Sequence, residues 1–170
     1  MIDIARLNTA RCVLSRIEAD DMQRLTEIFA DFQTRAFLPE LCEMLDSTKG
    51  VAEMVASFHA LSCNGEGILW GVRYGAEFIG FVAVMDISDR PILLYAMHPD
   101  YRMRGLMKES VAAVLDYVAG VGIVKTIHTE VYKDNCASVK MLCILDFVVT
   151  EEDNEKVHLS KDLVANFGRW

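Results

Sequence analysis

The sequence predicts a single α/β (α+β) domain. Its core is a mixed, mostly antiparallel sheet of about seven strands with helices on both faces. Two observations predict it. Strand candidates between residues 68 and 98 follow one another with only short turns, which is typical of antiparallel neighbours. Between residues 92 and 132 a helical pattern separates two strand candidates, which favours a parallel pair with a right-handed crossover. The 170 residues contain no linker-like stretch, so we expect one domain spanning 1–170.

The first half of the chain predicts one strand and two helices. Cys12 to Ile17 alternates like a strand, and Asp20 or Asp21 can cap the helix that follows. Its apolar face begins at Met22, and Phe37-Leu38-Pro39 should end it. The segment up to Gly50 is irregular or holds a short helix. A second helix starts at Val51, and a glycine-rich turn follows it.

The second half predicts a hairpin, a crossover unit and a final hairpin. Apolar alternation and turn residues place strands and helices in order. The expected strands are 68–74, 77–86, 92–98, 123–132, 148–150 and 156–163. The expected helices follow Gly105 and Asn135.

Composition excludes several classes of function. The chain is 52% hydrophobic and 25% charged, with a formal net charge of −8. This acidic balance argues against nucleic-acid binding and favours cationic substrates such as amines. No apolar run is long enough to span a membrane, and the first residues lack a signal-peptide pattern. Five cysteines without a Cys-x-x-Cys pair indicate reduced thiols, no metal site and a cytoplasmic location.

A phosphate-binding turn is the strongest functional signal. The apolar run Ile92 to Met97 leads through Pro99 into a basic turn with Arg102, Arg104 and Gly105, and then into a helix. A strand, a glycine turn and a helix start direct backbone N–H groups and the positive end of the helix dipole at one spot. Such a spot suits a phosphate, although an ordinary connection between two elements is the alternative.

Four short motifs in order resemble the GNAT superfamily of N-acetyltransferases. Arg102-x-x-Gly105 resembles its pyrophosphate loop, and Asn135-x-x-Ser138 followed by Leu145-Asp146-Phe147 resembles its second signature. Ile79-Gly80-Phe81 resembles the hairpin strand before the cofactor strand. Residues 9–16 resemble the opening strand of the Rim-type branch, the ribosomal-protein N-terminal acetyltransferases and their relatives. The resemblance implies the GNAT fold, with acetyl-CoA entering a gap between two splayed strands.

The resemblance also implies the cofactor contacts. They would come from backbone groups of the first splayed strand, from the pyrophosphate loop and from the start of the next helix. These residues are Ala96, Met97, His98, Arg102, Met103, Arg104, Gly105, Leu106, Met107 and Asn135. The chain departs from the family pattern at two positions. Met107 replaces a small residue, so its side chain must turn away from the phosphates. Asp146 replaces glycine, and Asp tolerates positive φ better than most residues.

Ser138 and Glu130 are the candidate catalytic residues. Ser138 shares a helix face with Met141 and Leu142, so it either bonds a carbonyl one turn back or donates a proton to the CoA sulfur. Many members of the superfamily use a tyrosine where this chain has Leu142. Glu130 alternates with His128 and Tyr132 on one strand face, and it is either the base or part of an exposed edge. Glu66 and Asp86 are weaker candidates for the base.

These observations predict an acetyl-CoA-dependent N-acetyltransferase. An amine attacks a thioester readily once both are held together, so direct attack without a covalent intermediate is expected. The acceptor would be a primary amine, either a protein N-terminus or a small molecule, chosen by residues 29–50 and the last hairpin. The alternatives are a catalytically weak acyl-CoA-binding sensor or interaction module with the same fold, or a structural partner protein. A homodimer is left open.

Overall fold

The computed structural model describes residues 4–47 and 50–163, and its strands form one eight-stranded sheet. The strand order across the sheet is β1-β2-β3-β4-β5-β6-β8-β7. The strands are β1 (Leu7–Asn8), β2 (Cys12–Ser15), β3 (Gly67–Tyr74), β4 (Glu77–Met85), β5 (Ile92–Met97), β6 (Thr126–Tyr132), β7 (Val148–Glu152) and β8 (Lys156–Asp162). The helices are α1 (Met22–Ala30), α2 (Phe32–Phe37), α3 (Pro39–Ser47), α4 (Val51–Asn64), α5 (Leu106–Val121) and α6 (Cys136–Ile144).

The predicted mixed, mostly antiparallel sheet is confirmed. Neighbouring strands pair antiparallel except for β5 and β6, which run parallel across the α5 crossover. The sheet has one strand more than the expected seven because Leu7–Asn8 pairs with β2. Such a two-residue strand is too short to give a periodic pattern in the sequence.

Two hydrophobic cores cover the two faces of the sheet, as predicted. On one face α1 and α4 pack against the strands around Phe29, Phe58 and Phe81. On the other face α5 and α6 pack around Val111 and Leu142. Alternation along β5 assigns Leu93 and Met97 to the second core and Ala96 to the first, so the polar residue Tyr95 faces α5 and α6.

The described residues of the first half form four α-helices, where the sequence indicated two and left a short helix before Gly50 open. The predicted first helix breaks at Asp31, whose backbone is extended at φ −65° and ψ 134°. The Asp31 side chain then caps α2 by accepting a hydrogen bond from the N–H of Thr34 at 2.9 Å. Pro39 begins α3, because proline is accepted in the first turn of a helix.

Gly80 lets β4 and β5 approach closely beside the site described below. A Cβ atom on Gly80 would lie 2.4 Å from the carbonyl oxygen of Ala96 and 3.2 Å from the Cα of Met97. Both of these atoms belong to the backbone, which cannot rotate aside as a side chain can. This position therefore requires glycine.

One edge of the sheet is open to solvent. Every residue of β7 is exposed, and Val148 retains 66% of its accessible surface. β7 pairs only with β8, and the register shifts between Val149 and Glu151. Its last two residues, Glu151 and Glu152, are acidic.

Candidate active site

A cleft opens where the two parallel strands part. In the register of β5 and β6 one pair is joined, Ile92 with His128. The N–H of His128 donates to the carbonyl of Pro91 at 2.8 Å, and the hydroxyl of Thr129 donates to the carbonyl of Leu93 at 3.1 Å. Beyond these contacts lies a cleft of about 850 Å³, which is within the usual range for ligand sites. It is lined by β5, β6, the start of α5, α6 and α2.

Backbone direction decides which groups of β5 face this cleft. The N–H of His98 donates to the carbonyl of Ile79 at 2.8 Å, so His98 is bonded to the neighbouring antiparallel chain. In an antiparallel pair, every second residue of a strand bonds the same neighbouring strand. Ala96, two residues before His98, therefore also directs its backbone groups towards β4. The backbone groups of Tyr95 and Met97 therefore face the cleft, and the Met97 carbonyl accepts from Arg102 Nε at 3.0 Å. Of the three predicted residues Ala96, Met97 and His98, Met97 is therefore the one whose backbone N–H faces the cleft, and Ala96 also lines it.

Gly105 shapes the turn between β5 and α5. It caps α5 with φ +75°, in the left-handed region that glycine adopts without a steric penalty. A Cβ atom there would meet only Arg11 Nη2, at 3.5 Å, so the space in front of the turn is open. Met103 is 89% exposed, whereas Leu106 is buried. Met103, Gly105, Leu106 and Met107 all line the cleft.

Arg102 ties this turn to α2 and does not present a free charge. Its Nη2 lies 2.6 Å from the Asp31 carboxylate and 3.1 Å from the Thr34 hydroxyl, and its Nη1 donates to Gln33 at 2.7 Å. Burial alone would raise the pKa of Asp31, but bonds from Arg102 and Thr34 lower it, so the ion pair stays charged. This differs from the expectation that both Arg102 and Arg104 add charge at the phosphate spot.

Other cations supply positive charge near the cleft. The Arg104 guanidinium lies 5.3 Å from the centre of the Tyr101 ring, with no carboxylate within 4.0 Å among the described residues. Lys108 on α5 and Lys140 on α6 line the cleft. Neither lysine was expected at the site from the sequence. Their position one turn inside the two helices that begin at the cleft is the signal that could have found them.

The two departures from the family pattern are accommodated. Met107 is only 9% exposed and joins the core beneath α5, so most of its side chain is turned inward. Asp146 has φ +62°, the conformation expected for the residue that replaces glycine. The N–H of Phe147 then donates to the carbonyl of Leu142 at 3.0 Å, and Phe147 is buried.

Ser138 meets a residue that the sequence analysis did not single out. Asn135 caps α6 by accepting from the N–H of Ser138 at 3.3 Å, which agrees with its expected structural role. The Ser138 hydroxyl bonds the hydroxyl of Tyr95 across the cleft and not the carbonyl one turn back. Tyr95 carries the only hydroxyl in β5, and that polar group in an apolar strand is the signal that could have found it.

The hydroxyl of Tyr95 stays protonated. Burial raises its pKa to about 12, and the hydrogen bond with Ser138 opposes this rise. A phenol with this pKa remains a hydrogen-bond donor throughout the neutral range.

Glu130, on β6, lines the cleft between Lys156 and His158. Its carboxylate lies 3.4 Å from His158 Nδ1 and 3.7 Å from Lys156 Nζ. His158 Nε2 lies 3.0 Å from Asp153, and this bond raises the pKa of His158. His128 lies where β5 and β6 still pair. Glu66 and Asp86 lie at the far end of the β3–β4 hairpin.

Helices α2 and α3 meet β6 and β8 at the same end of the cleft. Lys156 donates to Glu40 at 2.8 Å and lies 4.9 Å above the Tyr132 ring. Phe37 packs against Tyr132 with ring centres 6.5 Å apart. These contacts border the part of the cleft next to Glu130.

A parallel pair that parts over a glycine-capped helix start is the arrangement expected of the GNAT fold. The family model for the acetyltransferase (GNAT) domain matches residues 11–148, and the chain belongs to this family of N-acetyltransferases. This confirms the resemblance read from the four motifs. Within residues 4–47 and 50–163, no helix is long and apolar enough to cross a membrane, and no group of three His, Cys, Asp or Glu residues could hold a metal ion.

Similar proteins agree with the family. The chain is 26% identical over 146 residues to an uncharacterized N-acetyltransferase, YoaA of Bacillus subtilis, covering 83% of this chain and 81% of that protein. A RimL ribosomal L7/L12 α-N-protein acetyltransferase bound to coenzyme A superposes with a TM-score of 0.81 at 14% identity, covering 95% of this chain and 100% of that one. Spermidine N-acetyltransferase from Vibrio cholerae, with CoA and spermine, gives 0.75 at 13% identity, covering 91% and 96%.

Proposed function

We propose that the protein transfers an acetyl group from acetyl-CoA to a primary amine by direct attack of the amine on the thioester. The observation that carries this proposal is the cleft between β5 and β6, which opens onto the N-terminus of α5 at Gly105. Family members use this cosubstrate, and solved relatives are complexes with CoA or acetyl-CoA. When bound, acetyl-CoA supplies an acetyl group already activated as a thioester.

The residues present fit such a cosubstrate. The first N–H groups of α5 and the charges of Arg104, Lys108 and Lys140 suit a pyrophosphate. The N–H groups of Met97 and Tyr95 face the cleft and suit the amide and carbonyl oxygens of the extended arm. Asn135 holds the start of α6, and so the position of Ser138, against that arm.

Glu130 and Ser138 have separate roles in this proposal. Glu130 takes up a proton from the attacking nitrogen, because a carboxylate is the basic group that lines the acceptor end of the cleft. His158 lies beside it and links Glu130 to Asp153 at the surface. Ser138 faces the charge that develops on sulfur as the C–S bond breaks.

The acceptor is proposed only as a primary amine, either a protein N-terminus or a small molecule. The net charge of −8 supports a cationic acceptor. The acyl-CoA sensor remains the second candidate, although two of the sequence features that favoured it now carry less weight. Met107 is buried and Asp146 adopts the required conformation, so neither departure distorts the turn or the end of α6.

Calorimetric titration with acetyl-CoA tests the proposal. A micromolar dissociation constant is expected, which corresponds to a binding free energy of about −8 kcal/mol. Release of CoA thiol is then measured with peptides bearing a free N-terminus and with polyamines. Turnover with either class supports the enzyme, and binding without turnover supports the sensor. A dissociation constant above about 1 mM would contradict both.

Two arginines of the same turn should give opposite results. Arg102→Lys loses the planar fork that reaches Asp31 and Gln33, so we expect the free energy of unfolding to fall by about 1–3 kcal/mol. Arg104→Gln should leave stability unchanged and weaken acetyl-CoA binding about tenfold, with a smaller dependence on salt. Denaturant unfolding and calorimetry on both variants check this. The reverse pattern would mean that Arg102 binds the phosphates.

A further inference from the structure

Tyr95 and Ser138 reach the cleft from different elements and touch there. Tyr95 projects from β5 and Ser138 from the first turn of α6, 43 residues later. Both residues line the cleft, and Ser138 is 9% exposed. We propose that Tyr95 is a positioning residue that holds the Ser138 hydroxyl as a hydrogen-bond donor aimed at the CoA sulfur. This inference rests on the function proposed above.

The direction of the hydrogen bond follows from acidity. A phenol is a stronger acid, and hence a better donor, than an aliphatic alcohol. Either hydroxyl could donate in this bond; because Tyr95 stays protonated and is the better donor, we assign its O–H as the donor and Ser138 Oγ as the acceptor. Ser138 then keeps its own proton for a third group. Accepting one hydrogen bond also polarises the O–H of Ser138, so the bond it donates is strengthened.

The acceptor of the hydrogen bond from the Ser138 hydroxyl can only come from inside the cleft. Among the contacts of the described residues, the Ser138 side chain has one partner, Tyr95. Its backbone N–H is already used by Asn135. The Ser138 O–H therefore points into the space between α6 and β5, where an extended thioester would lie.

The pair stabilises a thiolate and does not protonate it. An ordinary thiol has a pKa of about 8.5, far below the pKa of about 12 of Tyr95, so the proton stays on the hydroxyls. As the C–S bond breaks, its electron pair remains on sulfur, and Ser138 donates a hydrogen bond to that negative charge. Nitrogen loses one proton to Glu130 and sulfur gains one by exchange with solvent, so protons and electrons balance.

The bound thiol gives a test that needs no knowledge of the acceptor. A charge-assisted hydrogen bond from Ser138 should lower the pKa of the CoA thiol by about one unit on binding. The thiolate is followed by ultraviolet absorbance of the protein–CoA complex as the pH is raised. The complex with desulfo-CoA supplies the baseline, because it contains the same ionisable side chains of the cleft. These are Tyr95, Tyr101, Arg102, Lys108, Glu130, Asp134, Cys136 and Lys140.

Four proteins form a double-mutant cycle. In the wild type the full shift of about one unit is expected, and in Tyr95→Phe about half of it. In Ser138→Ala the thiol should titrate as in free CoA. The double variant should match Ser138→Ala, because Tyr95 acts only through Ser138. Tyr74→Phe, which removes the hydroxyl of a half-exposed tyrosine outside the cleft, should keep the full shift.

Turnover should follow the same order once an acceptor is known. Ser138→Ala is expected to lower kcat about 100-fold and Tyr95→Phe about tenfold, with the KM for acetyl-CoA nearly unchanged. Thermal unfolding of each variant shows whether it is folded, and neither substitution adds volume to the cleft wall.

Each outcome has one meaning. A full shift in Tyr95→Phe would overturn the inference. If Tyr95→Phe also changes the pKa of the bound thiol in the Ser138→Ala background, Tyr95 contacts the sulfur itself. That result would likewise overturn the inference. If the wild type binds neither CoA nor desulfo-CoA, the proposed function fails instead. If it binds both without any shift, the function stands and the role of the pair is wrong.

Discussion

Replacing Gly105 by Asp is expected to weaken acetyl-CoA binding by about 100-fold. The substitution places a carboxylate at the cap of α5, in the open space that we assign to the pyrophosphate. It reverses the local charge where the helix dipole and Arg104 favour an anion. The residue must also hold φ +75°, which costs about 1–2 kcal/mol for a side chain in this region. Calorimetric titration of the folded variant measures the loss.

Gly122 provides a matched control at the other end of the same helix. Its φ is +68°, and a Cβ atom there would meet nothing within 4 Å. Gly122→Asp therefore carries the same backbone cost without a charge at the cleft, and its affinity for acetyl-CoA should be unchanged. Gly105→Ala separates strain from charge and should lose only a few-fold. Equal losses in Gly105→Asp and Gly122→Asp would show that the turn is not a phosphate site.

Replacing Gly80 by Ala should lower the free energy of unfolding by about 3 kcal/mol. The new Cβ would overlap the Ala96 carbonyl oxygen at 2.4 Å, and relief requires β4 and β5 to separate. Because β5 forms one wall of the cleft, the same movement should weaken acetyl-CoA binding. Denaturant unfolding gives the stability and calorimetry gives the affinity.

Gly120→Ala is the matched control for this substitution. Gly120 lies inside α5 with nothing within 4 Å of a new Cβ, so alanine there should stabilise the protein by about 0.5–1 kcal/mol. If Gly80→Ala is as stable as the wild type, the close approach of β4 and β5 does not exist in solution.

The sequence predicted what depends on local pattern. Alternation and turns located the β3–β4 hairpin, and the crossover unit placed β5 parallel to β6. The positive φ at Asp146 followed from its place at a helix end. Each of these features is built from short runs of chain in which periodicity and turn chemistry are informative.

What the sequence could not predict depends on contacts between distant residues. The apolar spacing of α1 continues past Ala30, so nothing in the pattern reveals that Asp31 breaks the helix. Asp31 is fixed there by Arg102, which lies 71 residues later. The meeting of Tyr95 with Ser138 likewise requires the crossover to be folded. The charges that matter at the phosphate end could not be chosen from composition, because pairing with Asp31 neutralises one arginine and leaves another free.

The uncovered strand β7 bears on how the protein behaves when concentrated. Edge strands carry unpaired N–H and C=O groups that can pair with another chain. The exposed apolar side chains of Val148 and Val149 add a hydrophobic contact surface to this edge. The carboxylates of Glu151 and Glu152 oppose the approach of a second such edge, although Glu152 also pairs with Lys133 at 3.4 Å. The register shift twists the strand away from a flat template. Added salt screens that repulsion. High salt is therefore expected to promote association along this edge while both hydrophobic cores stay folded.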